Sequence, residues 1–326
     1  MIDQYGRNIK YLRVSVTDRC NLRCIYCMPE YGRKWENSEN LLTGKEILRI
    51  IRVFAKHGIT KVRFTGGEPL IREDLAEIVW ETKHTPGIEM VTLTTNGVLL
   101  PERLPHLIRA GLDGINISLD SLNRIQYANI TKRDLLPQVM QGLEAAFGIA
   151  SLQVKINCVL MGQYNNDIAL LAGMAKDHNL SVRFIELMPI GPGDQFCLYT
   201  EDEVLAQLEE RFGPSQSISG YENNAGPARY VTFAGFRGKV GFISAMTHPF
   251  CMNCNRVRIM ATGELKTCLQ YQTGVNLKQL TMDSSINDLS LERIICTAVS
   301  QKPLGHHFGD RMCCKDENRH MYQIGG

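Results

Sequence analysis

Six short runs rich in Val, Ile and Thr recur through the first part of the chain: YLRVSV (11–16), KVRFT (61–65), MVTLTT (90–95), GINISL (114–119), VKINCVL (154–160) and VRFIEL (182–187). Runs of this kind read as buried parallel strands. Segments with apolar residues at three- and four-residue spacing lie between them and read as helices: 43–58, 72–84, 101–111, 135–149 and 166–178. Strands alternating with helices predict a β/α protein with a parallel sheet. The strand ends carry the polar and glycine residues, TDRC, GGEP, TNG, DSL and MPIG, and the C-terminal ends of parallel strands are where such sheets hold ligands. After MPIGPGD (188–194) the rhythm changes. A polar stretch (215–228) precedes two expected strands, RYVTF (229–233) and KVGFI (239–243), and then CMNCNRVRIMATGELKTC (251–268). This places a boundary near residue 190, with one region over 1–190 and a C-terminal region over 191–326.

Composition narrows the class. The 326 residues are 44% hydrophobic, enough for one large domain with an appendage. A net charge of +2 gives no field favouring nucleic acid or an anionic membrane, so neither is expected as a partner. The N-terminus lacks the apolar run of a signal peptide, and no stretch approaches the ~20 apolar residues of a membrane span, which predicts a cytoplasmic protein. Eleven cysteines in a large chain of this kind point to metal or cluster ligation rather than disulfides.

Three of those cysteines stand in CNLRCIYC, at Cys20, Cys24 and Cys27. A cubane [4Fe–4S] cluster has four irons that each need an outer ligand. Three thiolates leave one iron open for a small molecule. A zinc site would need a fourth ligand, which Asp18 or a distant residue could supply. Cys251, Cys254 and Cys268 repeat the theme, again without a fourth cysteine; here His248 could complete a zinc site. Arg256 and Arg258 beside them suit an anionic or heteroaromatic ligand.

The first cysteine spacing, just after a first strand, resembles the motif of the radical S-adenosylmethionine (SAM) enzymes, and FTGGEPLIR (64–72) resembles that family's SAM-amine site. The order LRVSVTDRCNLRCIYCMPE, VRFTGGEPLIR, LTTNG, INISLDSL, VKINCVLM, VRFIELMPIG, GPARY, FCMNCNRVRIMATGELKTCL and a terminal RHMYQIGG is similar, over nearly the whole chain, to the GTP 3′,8-cyclases of molybdenum-cofactor biosynthesis. The resemblance implies an incomplete (β/α)6 radical SAM barrel closed by a C-terminal region carrying a second iron–sulfur cluster. It implies a cyclase that uses SAM, a reductant and two [4Fe–4S] clusters. A deoxyadenosyl radical would remove the ribose 3′ hydrogen of GTP, and the carbon radical would add to purine C8, giving 3′,8-cyclo-7,8-dihydroguanosine triphosphate. An electron donor protein, a homodimer and a pyranopterin-forming enzyme that takes the product are implied as partners.

Carried over residue by residue, Cys20, Cys24 and Cys27 match the ligands of the SAM cluster, and Cys251, Cys254 and Cys268 those of the auxiliary cluster. Tyr26, Gly66, Gly67, Glu68, Ser118 and Met188 match SAM contacts. Arg13, Arg63, Thr94, Lys155, Arg256, Val257 and Arg258 match GTP contacts. The resemblance also implies that Arg319, Gly325 and Gly326 belong to a tail entering the site, with Lys302, His306 and His307 along its path. Physical chemistry adds an argument for the cations. Arg13, Arg63 and Lys155 sit among apolar strand neighbours, and an inward cation needs an anion, which a triphosphate supplies. The two terminal glycines suit a passage that any Cβ would block. No G-x-x-x-x-G-K-[ST] phosphate loop exists; GFRGK (235–239) has the wrong spacing.

Overall fold

The computed structural model of the chain describes residues 1–29, 35–218, 226–272, 274–282, 287–308 and 317–326. The six expected runs form β1 (Tyr11–Ser15), β2 (Lys61–Thr65), β3 (Met90–Thr95), β4 (Gly114–Ser118), β5 (Gln153–Leu160) and β6 (Ser181–Glu186). Each lies parallel to the next, in chain order. The connecting helices are α1 (Gly44–Lys56), α2 (Leu75–Lys83), α3 (Leu100–Arg109), α4 (Arg124–Thr131), α5 (Leu136–Phe147) and α6 (Ile168–Asp177). Their start signals are local. Thr43 and Glu46 form a reciprocal capping box before α1.

Two features differ from the sequence reading. Helix α4 is not among the expected helices. It is short and weakly amphipathic, with Ile125 turned to solvent, so periodicity does not reveal it. The strands are also not apolar on both faces. Leu12, Val14, Val62, Phe64, Ile115 and Ile117 are buried in the hydrophobic core. The alternate positions, including Arg13, Arg63, Thr94, Asn157 and Arg183, line a cavity inside the curved sheet. Period-two alternation sends one set of side chains to each face.

The C-terminal region contributes α7 (Glu201–Phe212), β7 (Gln216–Ser217), β8 (Arg229–Thr232), β9 (Lys239–Ile243), β10 (Arg256–Ile259), β11 (Glu264–Lys266), β12 (Val275–Asn276), α8 (Leu277–Met282), α9 (Asp288–Ser300) and α10 (Met321–Ile324). The boundary expected near residue 190 is not a break in the sheet. Strand β9 pairs parallel to β6, and β10 pairs parallel to β1. The result is one twelve-stranded sheet with antiparallel strands only at its two ends. Among the described residues β9 and β10 do not pair with each other, so the barrel stays open between them.

The β1–β10 register fixes the geometry of the site. Tyr11, at the start of β1, lies opposite Arg256, and Arg13 lies opposite Arg258. Cys251 and Cys254 therefore approach from the N-terminal end of the barrel strands, whereas the Cys20–Cys27 loop follows the C-terminal end of β1. The four residue steps of β1 between the two ends span about 13 Å.

Candidate functional site

At the C-terminal end of the strands, the first cysteine loop is stitched to the end of β2. Gly67 N–H donates to Thr17 O and Glu68 N–H to Arg19 O, both at 2.7 Å. A Cβ added at Gly67 would lie 2.3 Å from Arg19 O, and one at Gly66 2.5 Å from Thr17 O. Both glycines line the cavity, but what demands them is the approach of the cysteine loop's own backbone. Glu68 sits directly after the two glycines. It is fully buried and does not line the cavity. Its Oε1 accepts from Leu70 N–H (3.0 Å) and the Thr95 hydroxyl (2.7 Å), and its Oε2 from Asn96 N–H (2.7 Å). Its carboxylate thus holds the end of β3. Burial pushes its pKa up to about 7.

From that strand end, Asn96 Nδ2 donates to Asn21 Oδ1 at 2.7 Å beside Cys20. Helix α4 supports the loop from the other side. Its terminal carbonyls at Thr131 and Ile130 accept Arg23 N–H (2.9 Å) and Ile25 N–H (3.0 Å). Cys20, Cys24 and Cys27 are half-buried and line the cavity with Tyr26, Ser118 and Met188. Burial raises all three thiol pKa values, Cys20 to about 11, and the carboxylates of Glu68 and Asp120 add to the shift at Cys20 and Cys24 respectively. Buried thiols beside carboxylates stay protonated unless a metal cation compensates. The Tyr26 hydroxyl donates to Asp120 Oδ2 at 2.9 Å. Asp120 Oδ1 accepts Val159 N–H at 2.9 Å, and burial lifts the pKa of Asp120 to about 6. The sequence reading did not single out Asp120.

Cys251, Cys254 and Cys268 line the opposite end of the same cavity. Burial raises the Cys268 thiol as it does those of the first set, and only at Cys254 is the direction reversed. Burial pushes the Cys254 thiol up, but Arg256 and then Lys302 outweigh it and bring the pKa down to about 6. His248 does not complete the group. Its imidazole is largely exposed and sits 3.0 Å from the Thr247 hydroxyl, away from the cavity. Among the described residues no three Cys, His, Asp or Glu side chains converge on one ion, as tetrahedral zinc requires. Two sets of three soft thiols facing one cavity are the donor chemistry that iron–sulfur clusters take, so the residues present fit two such groups.

Between the triads the bore is cationic. Arg13, Arg63, Arg183, Arg256 and Arg258 line it. Arg63 Nε donates to Thr92 Oγ1 at 3.1 Å, and its guanidinium lies over the Tyr11 ring at 5.3 Å. Arg256 stacks on Phe250 at 5.2 Å. Neither these five arginines nor Lys155 makes an ion pair among the described residues. Arg13 Nε, Arg183 Nε, Thr94 Oγ1, Asn116 Nδ2 and Asn157 Oδ1 are buried without a hydrogen-bond partner among the described residues. Burial, reinforced by neighbouring cations, lowers the pKa of Arg63 and Arg258 to about 10 and that of Lys155 to about 7. Buried unpaired cations are costly, and a polyanion relieves them together. Lys155 is not a lining residue but lies on β5 on the same face as Asn157 and Val159, which are, and Val257 adds wall but no polar side chain. Sequence reasoning missed Arg183, although it carries the same signal as Arg13 and Arg63, a cation between apolar residues of a strand.

The C-terminal tail lies across this bore. The Tyr322 backbone hydrogen-bonds Cys27, and its ring packs edge-on against Trp35 at 5.4 Å. Arg258 donates to the Gly325 carbonyl, and Arg13 and Thr65 donate to Gly326 O. Only Gly325 occupies a passage closed to a side chain. Its φ is +85°, and an added Cβ would meet Ser15 Cβ at 2.7 Å; at Gly326 nothing lies nearer than 3.9 Å. The expectation that both glycines need the narrow passage holds for the first alone. Arg319 is not an added cation of the cavity. It pairs with Glu264 (2.6 Å) and Glu317 (2.7 Å), and Glu317 also takes Lys266. Lys302 and His306 line the cavity, whereas His307 does not.

The Radical SAM superfamily matches residues 14–172, and the Molybdenum Cofactor Synthesis C family matches residues 180–308. The GTP 3′,8-cyclase of Clostridium perfringens strain 13 is 42% identical over the whole of both chains. That of Heliobacterium modesticaldum is 44% identical, again over the whole of both. Molybdenum cofactor biosynthesis protein 1 of Dictyostelium discoideum is 38% identical, with this chain spanning 52% of its length. Among solved structures, Streptococcus suis SuiB bound to its precursor peptide superposes with a TM-score of 0.62 at 15% identity, over 98% of this chain and 71% of that one. Identity that low carries the fold alone.

Proposed function

Because the chain belongs to the GTP 3′,8-cyclase family of radical SAM enzymes, we propose that it converts GTP to 3′,8-cyclo-7,8-dihydroguanosine triphosphate in molybdenum-cofactor biosynthesis. One observation carries the reading beyond family membership. Two three-cysteine sets line opposite ends of a single bore lined by five arginines, none of which pairs with an Asp or Glu side chain among the described residues. When bound, the clusters and SAM supply the electron and the hydrogen-abstracting radical.

The chain's own residues do the rest. Cys20, Cys24 and Cys27 hold the SAM cluster, with Tyr26, Gly66, Gly67, Ser118 and Met188 around SAM. Cys251, Cys254 and Cys268 hold the second cluster at the far end. Arg13, Arg63, Arg256 and Arg258 take the triphosphate and orient the nucleotide between the two. Thr94, with its unsatisfied hydroxyl, supplies a further hydrogen bond. No described helix is long and apolar enough to cross a membrane; work in the cytoplasm rests on the resemblance. A protein electron donor feeds the first cluster, the enzyme acts as a homodimer, and the product passes to the pyranopterin-forming enzyme; these three rest on the resemblance.

Anaerobic reconstitution with iron and sulfide should give about eight irons per chain. SAM, reductant and GTP should then give 5′-deoxyadenosine and the cyclic nucleotide, with a lower 5′-deoxyadenosine yield when GTP is omitted. Cys24→Ala should keep about half the iron and release no 5′-deoxyadenosine. Iron-loaded natural protein that leaves GTP unchanged, or a Cys24→Ala variant that still cleaves SAM, would overturn the assignment.

A further inference from the structure

The N-terminal residues 3–7 belong to no strand or helix, yet they hold a buried ion pair. Arg7 is 8% exposed and Asp3 5%. Asp3 accepts Arg7 Nε at 2.6 Å, and its other oxygen accepts the backbone N–H groups of Tyr5 and Arg7 at 3.0 Å. This fixes the plane of the guanidinium. The remaining Arg7 donors go to carbonyls far along the chain. Nη1 donates to Cys251 O and to Leu304 O, both at 2.8 Å, and Nη2 donates to Pro303 O at 2.6 Å.

The 302–305 strap that Arg7 grips packs against the second cysteine set at Cys251 and beside Cys268. Gly305 lies so close to Cys251 that an added Cβ would stand 3.2 Å from the Cys251 Cβ and 3.5 Å from its sulfur. Tyr271 donates its hydroxyl to Gly305 O at 3.1 Å. At the other end of the strap, Lys302 Nζ donates to the carbonyl of Thr267, the residue before Cys268. One guanidinium therefore links Cys251 directly, and Cys268 through the strap, across nearly the full length of the chain. Only a planar fork with five donors can serve one carboxylate and three carbonyls at once.

We propose that Arg7, oriented by Asp3, is a positioning residue for the second cysteine triad, presetting Cys251 against the 302–305 strap so that the triad can take its cluster. This rests on the reading of Cys251, Cys254 and Cys268 as cluster ligands. Partners that orient ligands usually govern metal affinity by ~10- to 100-fold.

The test is iron content and Mössbauer spectra of anaerobically reconstituted full-length protein, for the natural chain, Arg7→Met, Arg7→Lys and Gln4→Ala. Gln4 touches the same strap, at Lys302 O (3.2 Å), but not Cys251. Arg7→Met should fall from about eight to about four irons, losing the second-cluster signal and keeping SAM binding at the first. Arg7→Lys, with three donors from one point, should lie between, and Gln4→Ala should load fully. Full loading of Arg7→Met with an unchanged spectrum overturns the proposal even if its melting temperature drops. Equal iron loss from both triads marks a general folding role and also overturns it. If Arg7→Met does not accumulate, Arg7→Lys decides: selective partial loss supports the proposal and full loading refutes it. Failure of the parent reading looks different, because the natural protein itself would then hold only about four irons.

Discussion

Replacing Gly325 with alanine should undock the tail, whereas the same change at Gly326 should not. Gly325 has φ +85°, where a non-glycine residue costs about 1–2 kcal/mol. Its new Cβ would lie 2.7 Å from Ser15 Cβ and 2.9 Å from Ser15 Oγ. Ser15 cannot retreat, since it is fully buried on β1 in register with Thr65. The tail must lift instead and lose the Arg258 bond to the Gly325 carbonyl. A hydrogen bond to a charged group is worth about 1.5–3 kcal/mol. Together the two effects total about 2.5–5 kcal/mol, roughly a 60- to 4,000-fold fall in the docked fraction relative to the undocked one. At Gly326 the nearest atom to an added Cβ is Met321 Cε at 3.9 Å, an ordinary contact. Two assays read the difference: the rate at which carboxypeptidase trims the C-terminus, and GTP turnover by iron-loaded enzyme at saturating SAM. Gly325→Ala should be trimmed faster and turn over poorly with unchanged iron and SAM binding. Equal behaviour of the two variants in both assays would refute the reasoning.

Two more predictions concern charge and packing. Lys155 has a pKa lowered to about 7 by burial and by Arg183, Arg63, Lys61 and Lys239, and a bound triphosphate must raise it. Between about pH 7 and the raised value, GTP binding then takes up a proton, and affinity falls by up to about tenfold per pH unit as pH rises through that window. Calorimetry at pH 8 in buffers of different ionisation enthalpy should detect the uptake and lose it in Lys155→Met; no uptake by the natural protein would contradict the assignment. Gly67→Ala forces a Cβ to within 2.3 Å of Arg19 O. It should cost at least about 1–3 kcal/mol, lower the melting temperature and selectively reduce iron at Cys20, Cys24 and Cys27, and a variant with natural melting temperature and iron content would show that the loop can give way.

The sequence alone determined the alternation of six strands and five of the helices between them, because apolar periodicity records which faces are buried. It also marked the six cysteines, since spacing within a loop is a local property. The cations at Arg13, Arg63 and Lys155 were legible as a conflict, charge placed among apolar strand residues, that either a strand-edge position or an inward ligand resolves. What the tertiary structure decided is everything that depends on register between distant segments. Strand β10 pairs parallel to β1, and that pairing puts the second cysteine triad at the opposite end of the bore from the first. Nothing near residue 256 specifies it. Glu68 and the two glycines before it sit at the expected strand end, yet their partners are Thr95, Asn96 and the backbone of Thr17 and Arg19, because a buried carboxylate takes whichever donors the fold brings within reach. Arg319 looked free for the cavity, but Glu264 and Glu317 neutralise it. Nothing in the sequence marks Arg7; its carbonyl partners at Cys251 and Leu304 come together only in the fold. Local pattern fixes what a segment can become; which donor meets which acceptor across hundreds of residues is set only once the sheet has closed around them.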